Sequence, residues 1–313
     1  EIYTLSLHDA LPIYFADNAG QGEEWWIISL RQYMPGQLDF SEYRKAYREY
    51  AENSNLASAT SRLKCALTLQ ALGSDSSYID RTVDDATGQL GIMSYIYGLH
   101  LLNNGANSTK FTKQSVTASI LDLQLADGGW AVMGDGGDVD VTGMAVQALA
   151  PSCASDSNVK QAVERAIELL SERQKDDATF LSFGKANPES TAQVVLALSE
   201  AGIDCTKDER FIKNGTDILD VLESFKVSDG AYAHNRGEGA NASASIQVLY
   251  SYVGYEMMLQ GRGSYHIFGD YSEPSVQRPE GISYKTENEG SRSGAEGTDT
   301  QKTESPSEQK SAR

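Results

Sequence analysis

The chain has 313 residues, with 44 acidic against 26 basic side chains and a formal net charge of −18. That balance argues against nucleic acid or an anionic membrane surface as partner, and no apolar run reaches the roughly 18 residues that a membrane-spanning helix needs. Three scattered cysteines (Cys65, Cys153, Cys205), none in a CxxC pair or near a histidine, and four histidines offer no metal-ligand set, and the cysteines read as small buried hydrophobes, with one disulfide left open for an exported chain.

Residues 1–14 do not match the remainder of the chain in pattern. They resemble a translated sequencing-adapter leader and are set apart from the fold, so the true start and any export signal are expected to be missing. From there the apolar spacing predicts helix after helix. The first covers 22–34, with Glu23 and Glu24 at its positive end and Pro35-Gly36 as its stop. A tyrosine-rich amphipathic helix is expected over 40–53, then 59–72, ended by Gly73, and 89–102, ended by Asn103-Asn104-Gly105. A short helix over 120–125 leads into a glycine-rich turn, Asp127-Gly128-Gly129-Trp130, and a further helix over 142–150. Helices over 159–175, 190–201, 210–225 and 242–259 complete the series. Beyond 272 the chain is rich in Glu, Ser, Thr, Gly and Lys and nearly free of apolar residues. It is expected to be a disordered linker to a missing C-terminal domain or anchor.

The units repeat. Asp127-Gly-Gly-Trp130 is echoed 102 residues later by Asp229-Gly-Ala-Tyr232, and Phe183 is assigned to the same turn in the intervening unit. Thr142-Gly-Met-Ala-Val-Gln-Ala-Leu149 returns at Thr191 and, more faintly, at Ser243. A period of about 50 residues holds two helices and their loops, and units of that size stack because none can bury its apolar face alone. Small-residue, uncharged helices alternate with one-sidedly charged ones. The first kind must be buried and the second can face water. The expectation is therefore one all-α domain over 20–270, an inner ring of helices wrapped by an outer one.

LxxQxxDGGW followed by a Thr-Gly/Ala-x-Ala-x-x-Ala-Leu helix resembles the repeat of the terpenoid cyclase and protein prenyltransferase superfamily. The resemblance implies an (α/α)6 toroid. Class II cyclases of that superfamily carry Asp-x-Asp-Asp-Thr, whose middle aspartate protonates an alkene. Here the matching stretch is Asp138-Val139-Asp140-Val141-Thr142, with Asp140 in the acid's place and Val141 where the pattern has a carboxylate. The Asp-x-Cys zinc pair of the prenyltransferases is missing. The segments 61–73, 91–98 and Asn187-Pro-Glu-Ser-Thr191 are similar to the transcobalamin and intrinsic factor toroids and their bacterial surface relatives.

Three functions are expected. The main one is a non-catalytic ligand-binding toroid of a secreted or surface bacterial protein. It takes a small hydrophobic or corrinoid (cobalamin) ligand and needs no cofactor and no metal. The second is a class II cyclase with Asp140 as general acid; the third is an adhesion or scaffold module. Asp138, Asp140, Thr142, Asn187, Ser190, Gln193, His234 and Asn241 are the candidate ligand-binding residues at the ring mouth. Helix capping would also account for several of them. Asp135 with Asp138 and Asp140 could alternatively hold calcium. Trp130, Phe183 and Tyr232 are assigned as wedges that fill the turns.

Overall fold

A computed structural model describes residues 15–74, 76–182, 184–227 and 231–271. Its helices are α1 (Glu24–Tyr33), α2 (Ser41–Asn53), α3 (Ala59–Ala71), α4 (Ser76–Ala86), α5 (Gly91–Asn103), α6 (Lys113–Asp122), α7 (Val139–Leu149), α8 (Ser157–Arg173), α9 (Pro188–Glu200), α10 (Ile218–Glu223) and α11 (Ala242–Leu259). Leu181–Ser182 and Lys185–Ala186 form a two-residue antiparallel hairpin just before α9. The leader, Phe183 and the tail from 272 lie outside the described residues.

The odd-numbered helices close on themselves. Each of α1, α3, α5, α7, α9 and α11 packs on the next, and α11 packs back on α1. Outside this ring, α2 covers α3, α4 lies against α3 and α5, α6 against α5, α8 against α7, and α10 against α9. Sequence pattern decides the layer. The ring helix α9 buries Ala192, Val194, Val195, Leu196, Ala197 and Leu198, which point in every direction round its axis. The outer helix α8 buries Val159, Ala162, Val163, Ala166, Ile167, Leu169 and Leu170, one stripe with spacings of three and four. The domain is an all-α toroid.

The layer assignment departs from the sequence expectation at three places. α4 has no counterpart in that expectation because its apolar stripe is thin: Tyr78, Ile79, Val83 and Ala86 are its buried apolar residues, set among polar ones. α1 is a ring member. Its opening carboxylates are buried and fasten it to its neighbours, Glu23 accepting from the Tyr43 hydroxyl (2.8 Å) and Glu24 from the Tyr47 hydroxyl (3.0 Å) and Lys64 (3.1 Å). The helix expected over 210–225 is broken into a 3-10 turn, Glu209–Phe211, and the short α10. Between them Asn214 and Gly215 take positive φ (51° and 82°), which no helix accommodates.

The turns before α7, α9 and α11 share one backbone hydrogen bond. The backbone N–H groups of Leu125, Lys175 and Val227 donate to the carbonyls of Gly129, Thr179 and Ala231 at 2.8, 2.9 and 2.8 Å. The next residue in each copy is Trp130, Phe180 and Tyr232, and all three are buried. The wedge of the middle copy is thus Phe180, in Asp177-Ala178-Thr179-Phe180; Phe183, expected there from the sequence, lies outside the described residues. Trp130 N–H donates to the Thr142 hydroxyl and Tyr232 N–H to the Ser245 hydroxyl, both at 3.0 Å. Ser245, two residues past the position suggested by sequence matching, is therefore the counterpart of Thr142.

After α11 the segment 262–271 crosses the C-terminal end of the ring as a strap. The Tyr265 hydroxyl bonds Ser29 (2.8 Å), Asn104 donates to the His266 carbonyl (2.7 Å), and Phe268 N–H donates to Asn104 (2.7 Å). Gln32 donates to the Ile267 carbonyl (3.2 Å). The strap thus joins α1, α5, α9 and α11. Beneath it the side chains of Glu200 and His266, 1% and 3% exposed, meet at 3.1 Å, and His100 stacks on His266 with centroids 4.1 Å apart. Burial pushes the Glu200 carboxyl up to about 7 and the His266 imidazole down to about 3.

Candidate functional site

The opposite, N-terminal rim of the ring gathers most of the candidate residues. Asp138, Asn187 and Asn241 are the N-caps of α7, α9 and α11. Their side chains accept from Val141 (3.0 Å), Ser190 (2.8 Å) and Ala244 (2.9 Å). Each satisfies a backbone donor that the first helical turn would otherwise leave bare. Thr142 is fully buried and turned away from the rim. Its hydroxyl accepts from Trp130 N–H and donates to the Trp130 carbonyl (3.2 Å), so none of it is left for a ligand.

Counting from the caps puts three residues on one rung: Asp140, Glu189 and Ser243 each stand two positions into their helix. Adjacent ring helices therefore present two carboxyl groups at the same height. Asp140 is mostly buried, and its Oδ1 has no hydrogen-bond partner; nor have Oε2 of Glu189 and Oγ of Ser190. Desolvation pushes the Asp140 carboxyl up to about 6. The nearby Ser190 hydroxyl opposes the shift, and the negative charges of Asp138 and Glu189 add to it. His234, half-exposed, meets the other Glu189 oxygen at 2.8 Å, and the Glu189 side chain is only 15% exposed. Glu189 carries no mark in the linear sequence, where it reads as an ordinary acid in a helix's first turn. Repeat register identifies it as the mate of Asp140.

One to two turns further in, a polar belt crosses the ring interior. Gln147 on α7 donates to Gln193 on α9 (2.9 Å), and Gln193 donates to Gln247 on α11 (3.2 Å) and to the Tyr250 hydroxyl. These residues come after the rim acids at helical spacing, Asp140 to Gln147 and Glu189 to Gln193, so they share the inward faces. Below the belt the lining turns aromatic. Trp25 on α1 lies 5.8 Å from Tyr250, and Tyr250 lies 6.1 Å from Tyr265 of the strap. Of the candidate residues, Asp140, Ser190, Gln193 and His234 thus belong to one rim-to-interior path, while Asp138, Asn187 and Asn241 hold the helix starts in place. Asp135 is exposed, and no three metal-type side chains come together among the described residues. Cys65 and Cys205 are buried free thiols, pushed up to about 11 and about 12 by burial.

The sequence matches no family model and no curated protein. Among solved structures the chain is similar to the ent-copalyl diphosphate synthase from Streptomyces platensis, with a TM-score of 0.50 and 16% identity. The match covers 76% of this chain and 50% of that one, so the chain spans half the length of the synthase. The likeness establishes a fold of the terpenoid cyclase type. It gives no support to a nearer kinship with cobalamin carriers.

Proposed function

We propose that the chain is a cyclase of the class II terpenoid type, with Asp140 as its general acid. The observation that carries this reading is the state of Asp140. It is a largely desolvated carboxylic acid with a free oxygen, at the inner rim of the ring, in the position of the acid in the resembling motif. A carboxyl pushed up to about 6 is half protonated near that pH, as a proton donor at mild acidity must be. In the step it would perform, the O–H bond of Asp140 breaks and its proton goes to one carbon of a terminal C=C. The π pair becomes the new C–H bond, and the cation left on the adjacent carbon is attacked by the next double bond. Trp25 and Tyr250 supply ring faces that stabilise such a cation. Loss of a proton at the end leaves an isomer of the substrate, and Asp140 regains its proton from the rim. Val141 cannot support the acid as a second carboxylate would, so Glu189 is the chain's own resource for holding the proton at Asp140.

A second reading, non-catalytic binding of a corrinoid or another polar ligand, is favoured by the amide belt. Gln147, Gln193 and Gln247 place donors and acceptors where a hydrocarbon would need an apolar wall. One experiment separates the two. The chain and its Asp140→Asn variant are incubated with squalene and with geranylgeranyl diphosphate, and products are analysed by gas chromatography and mass spectrometry. Cyclised isomers from the first and none from the second support the acid role. No product from either substrate, together with a saturable absorbance change on adding cobalamin, would move the assignment to the carrier reading.

A further inference from the structure

We propose that a cleft on the outer layer, between the end of α2 and α4, is a binding site for small oxyanions, the phosphate or carboxylate group of a small molecule. It is independent of the ring mouth. The cleft has a volume of about 230 Å³ and is lined by Ser54, Asn55, Arg62, Tyr78, Arg81, Thr82 and Asp85, among others. That is room for a single small anion or a sugar acid, and too little for a drug-sized ligand.

Its charge chemistry sets it apart from the rest of this acidic surface. Most other described guanidinium groups outside the ring have a carboxylate at hand: Arg48 has Glu52, Arg173 has Asp127, and Arg210 has Glu168 and Asp208. Arg62 and Arg81 have no ion pair among the described residues. Arg62 is held by one edge only, its Nη1 donating to the Leu56 and Ala57 carbonyls at 2.9 and 3.0 Å, which fixes the plane of the guanidinium and leaves its other N–H groups unused. Arg81 lies over the Tyr78 ring, 5.7 Å from its centroid. The one acid of the lining, Asp85, pairs with Lys110 at 3.4 Å. Two guanidinium groups with spare planar donor pairs, beside the hydroxyls of Ser54 and Thr82 and the amide of Asn55, suit an oxyanion that accepts several hydrogen bonds at once.

The test is calorimetric titration of the full chain at low ionic strength with inorganic phosphate, sulfate, galacturonate and, as a neutral control, glucose. One site with a Kd on the order of 1 mM is expected for at least one anion, and no heat from glucose. Arg81→Gln, on an exposed side chain, weakens binding about ten-fold, and Asp85→Asn strengthens it about three-fold, by removing the one charge that repels the ligand. Preference for phosphate over galacturonate assigns a phosphoryl ligand, and the reverse a sugar acid. Absence of saturation by every anion up to about 20 mM, or an unchanged Kd in Arg81→Gln, overturns the proposal.

Discussion

Asp140 can be followed by pH as well as by chemistry. Its carboxyl is held at about 6 in the fold, against 3.8 when exposed, so the folded chain binds that proton more tightly than the unfolded one. The stabilisation from this proton is complete below about pH 4 and is lost as pH rises through about 6. At pH 8 the buried charge costs the fold about 3 kcal/mol. Asp140→Asn is therefore expected to raise the melting temperature at pH 8 and leave it nearly unchanged at pH 4, measured by circular dichroism. A variant that melts lower at both values would mean that the carboxylate is held by a bond. At this scale the sequence was informative about Asp140 and silent about its surroundings. The motif marks the residue, but partners such as Glu189 come from another helix, and only the register of two repeats makes them neighbours. Thr142 shows the converse: it belongs to the motif by letter, and its hydroxyl serves the turn.

The wedge turn is one element built three times, and its copies differ in how they solve the same backbone demand. Gly128 has φ 93°, and Ala178, its counterpart in the middle copy, has φ 63°. A side chain at Gly128 would put Cβ 2.9 Å from the Arg165 carbonyl oxygen, closer than real contacts allow. Gly128→Ala is thus expected to cost about 2 kcal/mol, through strain and that clash. Ala178→Gly should fall within about 0.5 kcal/mol of the parent, because relief of left-handed strain is offset by a freer unfolded chain. Urea unfolding of the two variants checks the asymmetry; equal costs would mean the turns are not equivalent. The same difference hid the middle copy in the sequence. Asp-Gly-Gly-Trp advertises a turn by its glycines, whereas Asp177-Ala-Thr-Phe180 has none, and the nearest glycine, Gly184, marks Phe183 instead.

The ring as a whole depends on a seam between its two ends. The alternation of buried and amphipathic helices made the two-layered ring legible, because layer position is written in residue type along each helix. The seam was not legible, because it is made by single polar groups such as Ser29, Gln32 and Asn104 that bond backbone or hydroxyl partners more than 160 residues away. Removing the strap by truncation after Gly261 is expected to expose Glu200 and His100 and to loosen α1 from α11. Hydrogen exchange should then accelerate in α1 and α11 while α7 and α9 stay protected. Uniform loss of protection would instead make the strap part of a single cooperative unit.

The strap also sets an order of events during synthesis. Residues 29–32 leave the ribosome early, and the groups they bond, at 265–267, emerge only after some 230 more. Hairpins in the middle can stack as they emerge, since their partners are near in sequence, but loop closure over such a distance comes last. The nascent polypeptide therefore passes through an open, horseshoe-like intermediate with the inward faces of α1 and α11 bare, and this is the stage at which a chaperone would have something to hold.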